Sequence, residues 1–253
     1  MRVLSALLVV LLAACAVFAG STVVIMRHAD AEFIGDLAHE TFDPTGYDLT
    51  WSAASENSGT VDPDSTTDPP ISSTGFSGQS VYFNGNQSGN YNNYRIRWDA
   101  GSAQTTVYQR FYVYISGWTP TWNQVAIISA GHTSSSAPMD ETTNTWRLEL
   151  FQFENTGWYL RMHWGNDAVT AQTFSITTAT TPKGPYRVEI MFSENGTSDS
   201  YEWRIDGTTI ASGTANIGAA PRYFSIGKWG YNGAALYVDK YDLDSDEWPG
   251  AAP

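Results

Sequence analysis

Hydrophobic and polar positions alternate with a period of two along most of the chain after residue 79. The alternation is strict over residues 186–192 and again over residues 201–205. An Asn-Gly dipeptide at 195–196 separates these runs, and an Asp-Gly dipeptide at 206–207 follows the second. Such dipeptides favour the positive-φ turns of β-hairpins, and a period of two indicates a strand with one buried face. The stretch therefore predicts an antiparallel meander.

About a dozen such runs follow one another at short intervals, and residues 75–243 show no helical period. Many short strands separated by turn residues predict a two-sheet antiparallel sandwich or jelly roll. We expect one all-β domain over residues 42–250, with a polar loop rich in Ser, Asp and Pro at 52–79. The other predicted strands are residues 80–84, 94–98, 106–115, 125–129, 145–153, 158–164, 174–177, 223–227 and 235–243.

The N-terminus has the charged start and apolar core of a secretory signal. Cleavage after Ala19 would release a secreted or periplasmic protein with a leader segment at residues 20–41. Alternatively, residues 12–15 resemble a bacterial lipobox, in which Cys15 would carry a lipid anchor. Because Cys15 is the only cysteine, the mature domain forms no disulfide of its own.

Composition narrows the class of partner. The formal net charge of −13 argues against nucleic acid and anionic membrane surfaces. No segment after the signal approaches the apolar length of a membrane span. Aromatic residues make up 14% of the chain, which suits strands and glycan recognition alike. The sequence gives no basis for an oligomeric state.

Sorting the strands by their apolar side leaves a set of polar and aromatic residues on the opposite faces. Aromatic rings stack on sugar rings, and arginine forks bind hydroxyl or carboxylate groups, so the set predicts a glycan-binding sheet face. The alternative is ordinary Arg–Glu pairing across a solvated sheet, and some of these strands must belong to the other sheet. The candidate ligand-binding residues are Tyr108, Arg110, Tyr112, Arg147, Glu149, Tyr159, Arg161 and His163.

Residues 75–250 resemble the concanavalin A-like lectin/glucanase jelly rolls of the laminin-G-like kind. The resemblance rests on the segment Gln79-Ser-Val-Tyr-Phe-Asn-Gly85, on the hairpin at 186–207, on Tyr223-Phe-Ser-Ile-Gly227 and on the closing Tyr237-Val-Asp-Lys-Tyr241. It implies a jelly roll with a concave sheet that binds glycans. These features specify a fold and leave the activity open.

The same resemblance offers calcium as a structural cofactor. Jelly rolls of this kind often hold one ion between the first and last strands, where hard oxygen ligands are needed. Asp239 matches the family's acid in the last strand best. Asp43 lies in residues 42–51, which read as the first strand region of the domain. The alternative is that these acids are merely solvated.

Polysaccharide lyases of this fold are a second resemblance. They are similar to this chain in Arg147-Leu-Glu149, in Gly131-His132 and in residues 223–229. A lyase needs cations to neutralise a uronate carboxylate and a base for the α-proton. Ser225 and Trp229 stand where alginate-lyase-like sequences carry Lys and the catalytic Tyr. The catalytic candidates are His132, His163, Tyr112, Arg147 and Glu149.

Other enzymatic hypotheses are weaker. Glu149 and Glu154 have the outer spacing of the retaining glucanase motif, but Phe151 replaces its central acid and an unbulged strand would point the two apart. Arg27-His28 resembles the opening of histidine phosphatases, a fold that needs long helices. No nucleophile-elbow motif supports Ser-His-Asp hydrolysis. The sequence therefore predicts a secreted or surface-anchored, non-catalytic glycan-binding protein, with an acidic-polysaccharide lyase as the alternative.

Overall fold

Antiparallel strands are the only regular elements in the part of the chain that the computed structural model describes. That part comprises residues 37–40, 52–56, 61–65, 80–83, 93–116, 125–134, 144–153, 157–165, 168–176, 183–230 and 235–249. No helix in these ranges could cross a membrane. The all-β prediction is confirmed, and the helices expected of a histidine phosphatase are not found in these ranges.

Eight strands form one sheet. They are β1 (Ala38–Glu40), β3 (Val61–Ser65), β4 (Ser80–Phe83), β6 (Thr106–Ser116), β11 (Lys183–Ser193), β12 (Asp199–Ile205), β13 (Thr208–Ala215) and β15 (Ala235–Asp244). Their order is β13-β12-β11-β6-β15-β4-β3, and β1 also pairs with β15.

Seven strands form the second sheet. They are β2 (Ser52–Glu56), β5 (Asn93–Asp99), β7 (Val125–His132), β8 (Asn144–Phe153), β9 (Gly157–Trp164), β10 (Val169–Ile176) and β14 (Tyr223–Gly230). Their order is β10-β9-β8-β7-β14-β5-β2. Neighbours in both sheets are antiparallel, as in a jelly-roll sandwich.

The predicted meander is present as β11, β12 and β13. Ile190 pairs with Trp203, so the alternating apolar positions of the two strands face the same side. Gly196 and Gly207 have φ angles of +72° and +78°, and Asp206 has a φ of +52°. These are the left-handed conformations that the two dipeptides predict.

The core lies between the sheets and is built around Trp146 of β8. The centroid of its ring system is 6.2 Å from the ring of Phe192 in the other sheet and 5.9 Å from Phe224 on β14. Directly opposite Trp146 on β7 stands Gly131. A Cβ atom there would lie 2.7 Å from the Trp146 ring, so only glycine fits. Since Trp146 faces the core, the alternate residues of β8 face outward.

The first strand lies within the predicted leader segment. Ala38 of β1 pairs with Leu243 of β15, so residues 38–40 belong to the eight-stranded sheet. The domain boundaries remain predictions. The predicted signal, Ala19 and Cys15 lie outside the described residues and remain predictions.

Candidate functional site

The outer face of the seven-stranded sheet carries a transverse row of paired residues. Arg147 on β8 pairs with Ala130 on β7, Ala130 pairs with Ser225 on β14, and Ser225 pairs with Arg97 on β5. Strands lie about 4.8 Å apart, so the backbones at Arg147 and Arg97 are about 14 Å apart. Small residues therefore separate two arginines on one face.

A second row lies beside the first. Arg161 on β9 pairs with Glu149, Glu149 pairs with Ile127 on β7, and Arg95 on β5 pairs with Gly227. We call the resulting surface the arginine groove. Its two sides are the pairs Arg147/Arg161 and Arg95/Arg97, and its floor includes Ala130, Ile127, Ser225 and Gly227.

Glu149 connects the two arginines on one side of the groove. Its Oε1 accepts a hydrogen bond of 2.8 Å from Arg147 Nε, and its Oε2 lies 2.6 Å from Arg161 Nη2. His163 Nε2 is 3.1 Å from Oε2. Burial raises the pKa of the Glu149 carboxyl, but the hydrogen bonds from His163 and Arg147 and the charge of Arg161 outweigh it and lower the pKa to about 2. Glu149 is therefore a carboxylate at neutral pH.

The tautomer of His163 follows from its neighbours. Arg147 Nη2 lies 3.1 Å from His163 Nδ1, and a guanidinium can only donate. Nδ1 must then accept, so the proton is on Nε2, which donates to Glu149. In this geometry His163 bridges Arg147 and Glu149.

His132 lies at the end of β7 and joins three strands. Its Nδ1 is 2.7 Å from Asn144 Oδ1 on β8, and its Nε2 is 2.9 Å from Ser225 Oγ on β14. All three residues are buried. Burial lowers the pKa of His132 to about 4, with a contribution from the charges of Arg95 and Arg97 that the Asn144 hydrogen bond only partly offsets. His132 is therefore neutral at pH 7.

Half-buried aromatic side chains lie at the edges of the groove. The guanidinium of Arg161 stacks 4.0 Å from the Phe151 ring centroid. Arg97 and Arg222 lie 5.3 and 5.1 Å from the centroid of Tyr223. Tyr159, which pairs with Phe151 across β9 and β8, is also half-buried. The floor of the groove is buried, so the accessible surface belongs to these edge residues.

The structure divides the predicted ligand-binding set between the two sheets. Five of its members share the outer face of β8 and β9, namely Arg147, Glu149, Tyr159, Arg161 and His163. The other three, Tyr108, Arg110 and Tyr112, lie on β6 in the eight-stranded sheet. They cannot contact the same ligand from opposite faces of the sandwich. Alternation identifies the face of a strand but not its sheet.

The three predicted residues on β6 have structural partners of their own. Arg110 Nε donates a hydrogen bond of 3.1 Å to Asp242 Oδ2 of β15, and Arg110 Nη2 contacts the same oxygen. Both side chains are fully buried. Tyr112 pairs with Arg187, and burial raises the pKa of its hydroxyl. Tyr108 packs edge-on against Trp248 at 5.2 Å.

Of the two predicted calcium ligands, the structure describes only Asp239. Asp43 lies outside the described residues. Asp239 is buried on β15, and its Oδ1 accepts a hydrogen bond from the backbone N–H of Lys240. Among the described residues no three His, Cys, Asp or Glu side chains are close enough to hold a metal ion. Calcium remains a prediction.

Three groups in the groove were not among the predicted site residues: Ser225, Asn144 and the pair Arg95/Arg97. Arg95 and Arg97 alternate on β5 within a tyrosine- and arginine-rich run, which is the signal that could have found them. Ser225 and Asn144 had no such signal, because their proximity to His132 depends on the order of β8, β7 and β14 in the sheet.

Comparison with known proteins identifies the fold. No family model and no curated protein matches the sequence. Among solved structures, the carbohydrate recognition domain of Emp47p superposes with a TM-score of 0.55 at 7% identity, over 86% of this chain and 99% of that chain. The fold is a concanavalin A-like jelly roll. The resemblance drawn from the sequence is thus confirmed at the level of the fold.

Two further solved structures are similar at lower scores. Alginate lyase from Alteromonas sp. 272 gives a TM-score of 0.44 at 12% identity, over 72% of this chain and 92% of that chain. The legume lectin-like domain from Entamoeba histolytica gives 0.45 at 9% identity, over 66% and 84%. Because one fold hosts many activities, function must be argued from the groove itself.

Proposed function

We propose that the protein binds an acidic glycan along the arginine groove and leaves the main chain of that glycan uncleaved. The observation that carries the proposal is the pair of arginines on each side of a floor of small residues. Arginine forks bind carboxylate or sulfate groups in a bidentate way. Ala130, Ser225 and Gly227, which lie between the two pairs, have short side chains or none, and the ligand would enter from the partly exposed edge residues.

Charge supports an acidic ligand. Arg95, Arg97, Arg147 and Arg161 share this face with Glu149, which both Arg147 and Arg161 contact. Four arginines therefore lie on one face of a chain whose net charge is −13. A cationic surface on an acidic protein attracts anions locally while the rest of the molecule repels them.

The edge residues support a sugar. Tyr159 and Tyr223 are half-buried, so part of each ring is open to a ligand. Aromatic rings offer an apolar surface with a polar hydroxyl, which suits the mixed surface of a sugar ring. The fold-level likeness to the carbohydrate recognition domain of Emp47p supports this choice of ligand by analogy.

The state of Glu149 argues against glycosidic hydrolysis. A glycosidase needs one carboxyl that is protonated and donates to the leaving oxygen. Glu149 has a pKa lowered to about 2 and is held by Arg147 and His163. It is ionised and already engaged, so it serves to orient arginines rather than to transfer protons.

A uronate lyase is the second candidate. It is favoured by the position of His132, whose pKa responds to the nearby charges of Arg95 and Arg97. Those arginines could neutralise a uronate carboxylate while a base takes the α-proton. A pKa of about 4 makes His132 a weak base at neutral pH, which is why binding is the first proposal.

Export and calcium complete the proposal. We infer that a signal peptide ending at Ala19, or a lipid anchor at Cys15, places the domain outside the cytoplasm, where a glycan would be met. Asp239 lies on β15 beside β1, and Asp43 follows β1 closely in sequence. Calcium at these acids would supply stability rather than chemistry. A chelator that lowers the Tm of the domain would support this part.

Affinity electrophoresis through gels containing an acidic or a neutral polysaccharide tests the main proposal. We expect retention in the uronate or sulfated gels, weakening as salt is added. Arg97→Ala and Arg161→Ala should each reduce retention, because they remove a cation from opposite sides of the groove. Ultraviolet absorbance of the same mixtures distinguishes the alternative, since a lyase creates unsaturated ends.

Arg204→Ala provides the matched control. Arg204 is a half-buried arginine that pairs with Glu202 and stacks on Trp248, like Arg161 with Glu149 and Phe151, but it lies on the eight-stranded sheet. We expect it to leave retention unchanged. Equal losses in Arg204→Ala and Arg161→Ala, or no retention by any acidic polymer, would contradict the proposal. A rise in absorbance would replace it with the lyase.

A further inference from the structure

The hydrogen-bonded series Ser225–His132–Asn144 has the form of a nucleophile, a base and an orienting group. The Oγ to Nε2 distance is 2.9 Å and the Nδ1 to Oδ1 distance is 2.7 Å. The three side chains come from β14, β7 and β8, which are adjacent strands. Nucleophilic catalysis is recognised by this geometry rather than by sequence order.

The direction of the hydrogen bonds follows from Asn144. Its Oδ1 has no hydrogen, so His132 Nδ1 must be the donor. A neutral imidazole has one N–H, so Nε2 carries the lone pair and accepts the hydrogen of the Ser225 hydroxyl. This is the tautomer that a general base needs when it faces a serine.

We propose that Ser225 accepts an acyl group from a short carboxylic ester, with His132 as general base and Asn144 as the residue that orients it. Arg97 stands directly opposite Ser225 on β5. Its positive charge would favour the oxyanion formed at the ester carbonyl. An ester substituent of the bound glycan is the natural substrate class, and this last clause alone rests on the proposed function.

The steps balance without any further reagent. Ser225 Oγ bonds to the carbonyl carbon while its proton moves to His132 Nε2. The ester C–O bond then breaks, and the departing oxygen takes that proton as the alcohol leaves. Water attacks the acyl-serine, gives one proton to His132, and releases the carboxylic acid as Ser225 regains its hydrogen.

Two features predict that this reaction is slow. Ser225 and His132 are fully buried, so the site must open and only a small ester should react. Asn144 carries no charge to stabilise the imidazolium, and Arg95 and Arg97 oppose it. An aspartate at position 144 would supply the missing charge.

The test is acetylation of the purified mature chain by p-nitrophenyl acetate, followed by intact mass and peptide mapping. We expect one acetyl group on Ser225. Its rate should fall below pH 4 as His132 becomes protonated and stay level above it. Ser225→Ala and His132→Gln should each lower labelling by about 100-fold. Asn144→Asp should raise the rate and move the inflection to higher pH.

The matched control is Ser129→Ala. Ser129 is also fully buried on β7, but its hydroxyl bonds to Gln109 and not to a histidine. Its loss should leave labelling unchanged. Acetylation at lysines only, or labelling of Ser225 that is indifferent to pH and to position 132, would overturn the proposal. Peptide mapping of the unmutated chain shows whether Ser225 or only lysines are acetylated, even where a variant does not fold. Polysaccharide retention is scored separately, so either proposal can fail alone.

Discussion

The outer faces of the two sheets use arginine in different ways. On the eight-stranded sheet each described arginine has its own acid, in the pairs Arg110–Asp242, Arg187–Glu189 and Arg204–Glu202. On the seven-stranded sheet Arg147 and Arg161 share the single carboxylate of Glu149. Both faces have the same alternating pattern, yet on one face, which we call the balanced face, each of these arginines has a separate acid, whereas two arginines on the other face share one.

The difference suggests different roles. One-to-one pairs offset the charge of both partners, so they act as cross-strand ties. A carboxylate shared by two arginines orients both but offsets only one of the two charges. Arg95 and Arg97 lie on the far side of the groove. Breaking a pair on the balanced face should therefore cost stability, whereas changing the groove should also alter binding.

The largest expected effect is that of Asp242→Asn. The substitution keeps the shape of the side chain but leaves the Arg110 guanidinium buried without its counter-charge, and Arg110 Nη1 already has no hydrogen-bond partner. Removing one partner of a buried ion pair costs about 3–5 kcal/mol. Urea unfolding of the variant and its parent measures the difference.

Glu202→Gln is the matched control for Asp242→Asn. Its pair with Arg204 is also on the eight-stranded sheet, but both side chains are partly exposed. Exposed pairs contribute less than about 1 kcal/mol. If the two substitutions cost the same, burial is not what distinguishes these pairs.

Acid should destabilise the groove in two separate windows. The pKa of His132 falls from 6.5 to about 4 on folding, and that of Glu149 from 4.5 to about 2. Between each pair of values the unfolded state binds a proton that the folded state does not, so stability falls as pH falls. Across each of these two pH ranges the free energy of unfolding should fall by about 3 kcal/mol.

Two variants show which residue is responsible for the loss of stability in each pH range. His132→Gln should flatten the loss of stability between pH 6.5 and 4 and leave the lower window intact. Glu149→Gln should remove the dependence between pH 4.5 and 2, on a baseline that is already lower because Arg147 and Arg161 have lost their shared acid. Thermal unfolding across pH measures both. A parent protein whose Tm is constant down to pH 4 would exclude a buried neutral His132.

The alternating pattern was enough to predict most of the strands and the fold, because period and turn dipeptides are local properties. The prediction of a polar loop over residues 52–79 was wrong where β2 and β3 lie, since these short polar strands have no hydrophobic alternation. It could not predict which sheet each strand joins, since that depends on pairing between distant segments. Tyr112 and Arg147 are equivalent by alternation, yet they lie on opposite sheets. Ser225, His132 and Asn144 meet only because β14, β7 and β8 are neighbours.

One irregularity could have been predicted. On β15 the core residues are Leu236, Val238, Tyr241 and Leu243, so the spacing of two is broken once. The pairing register shifts between Asp239 and Asp242, and Lys240 has a φ of +49°. A break of this kind indicates a bulge. The bulge keeps Tyr241 in the core and turns Asp242 toward Arg110.

The smallest expected effects come from a cation–π contact that both faces possess. Arg161 lies 4.0 Å from the ring centroid of Phe151 in the groove, and Arg204 lies 4.1 Å from that of Trp248 on the other face. Such contacts contribute about 0.5–1 kcal/mol at exposed sites. We expect Phe151→Leu and Trp248→Leu each to lower the free energy of unfolding by about this amount or slightly more, since ring packing is also lost.

Binding should separate these two variants where stability does not. Phe151→Leu removes the surface that holds the Arg161 guanidinium in place, so retention by an acidic polysaccharide should weaken although no charge is lost. Trp248→Leu should leave retention unchanged, because Arg204 remains paired with Glu202 and lies on the other sheet from the proposed binding groove. Equal retention by both variants would show that Arg161 is oriented by Glu149 alone. Weaker retention by Trp248→Leu would mean that the balanced face also takes part in binding, and the contrast between the two sheets would then fail.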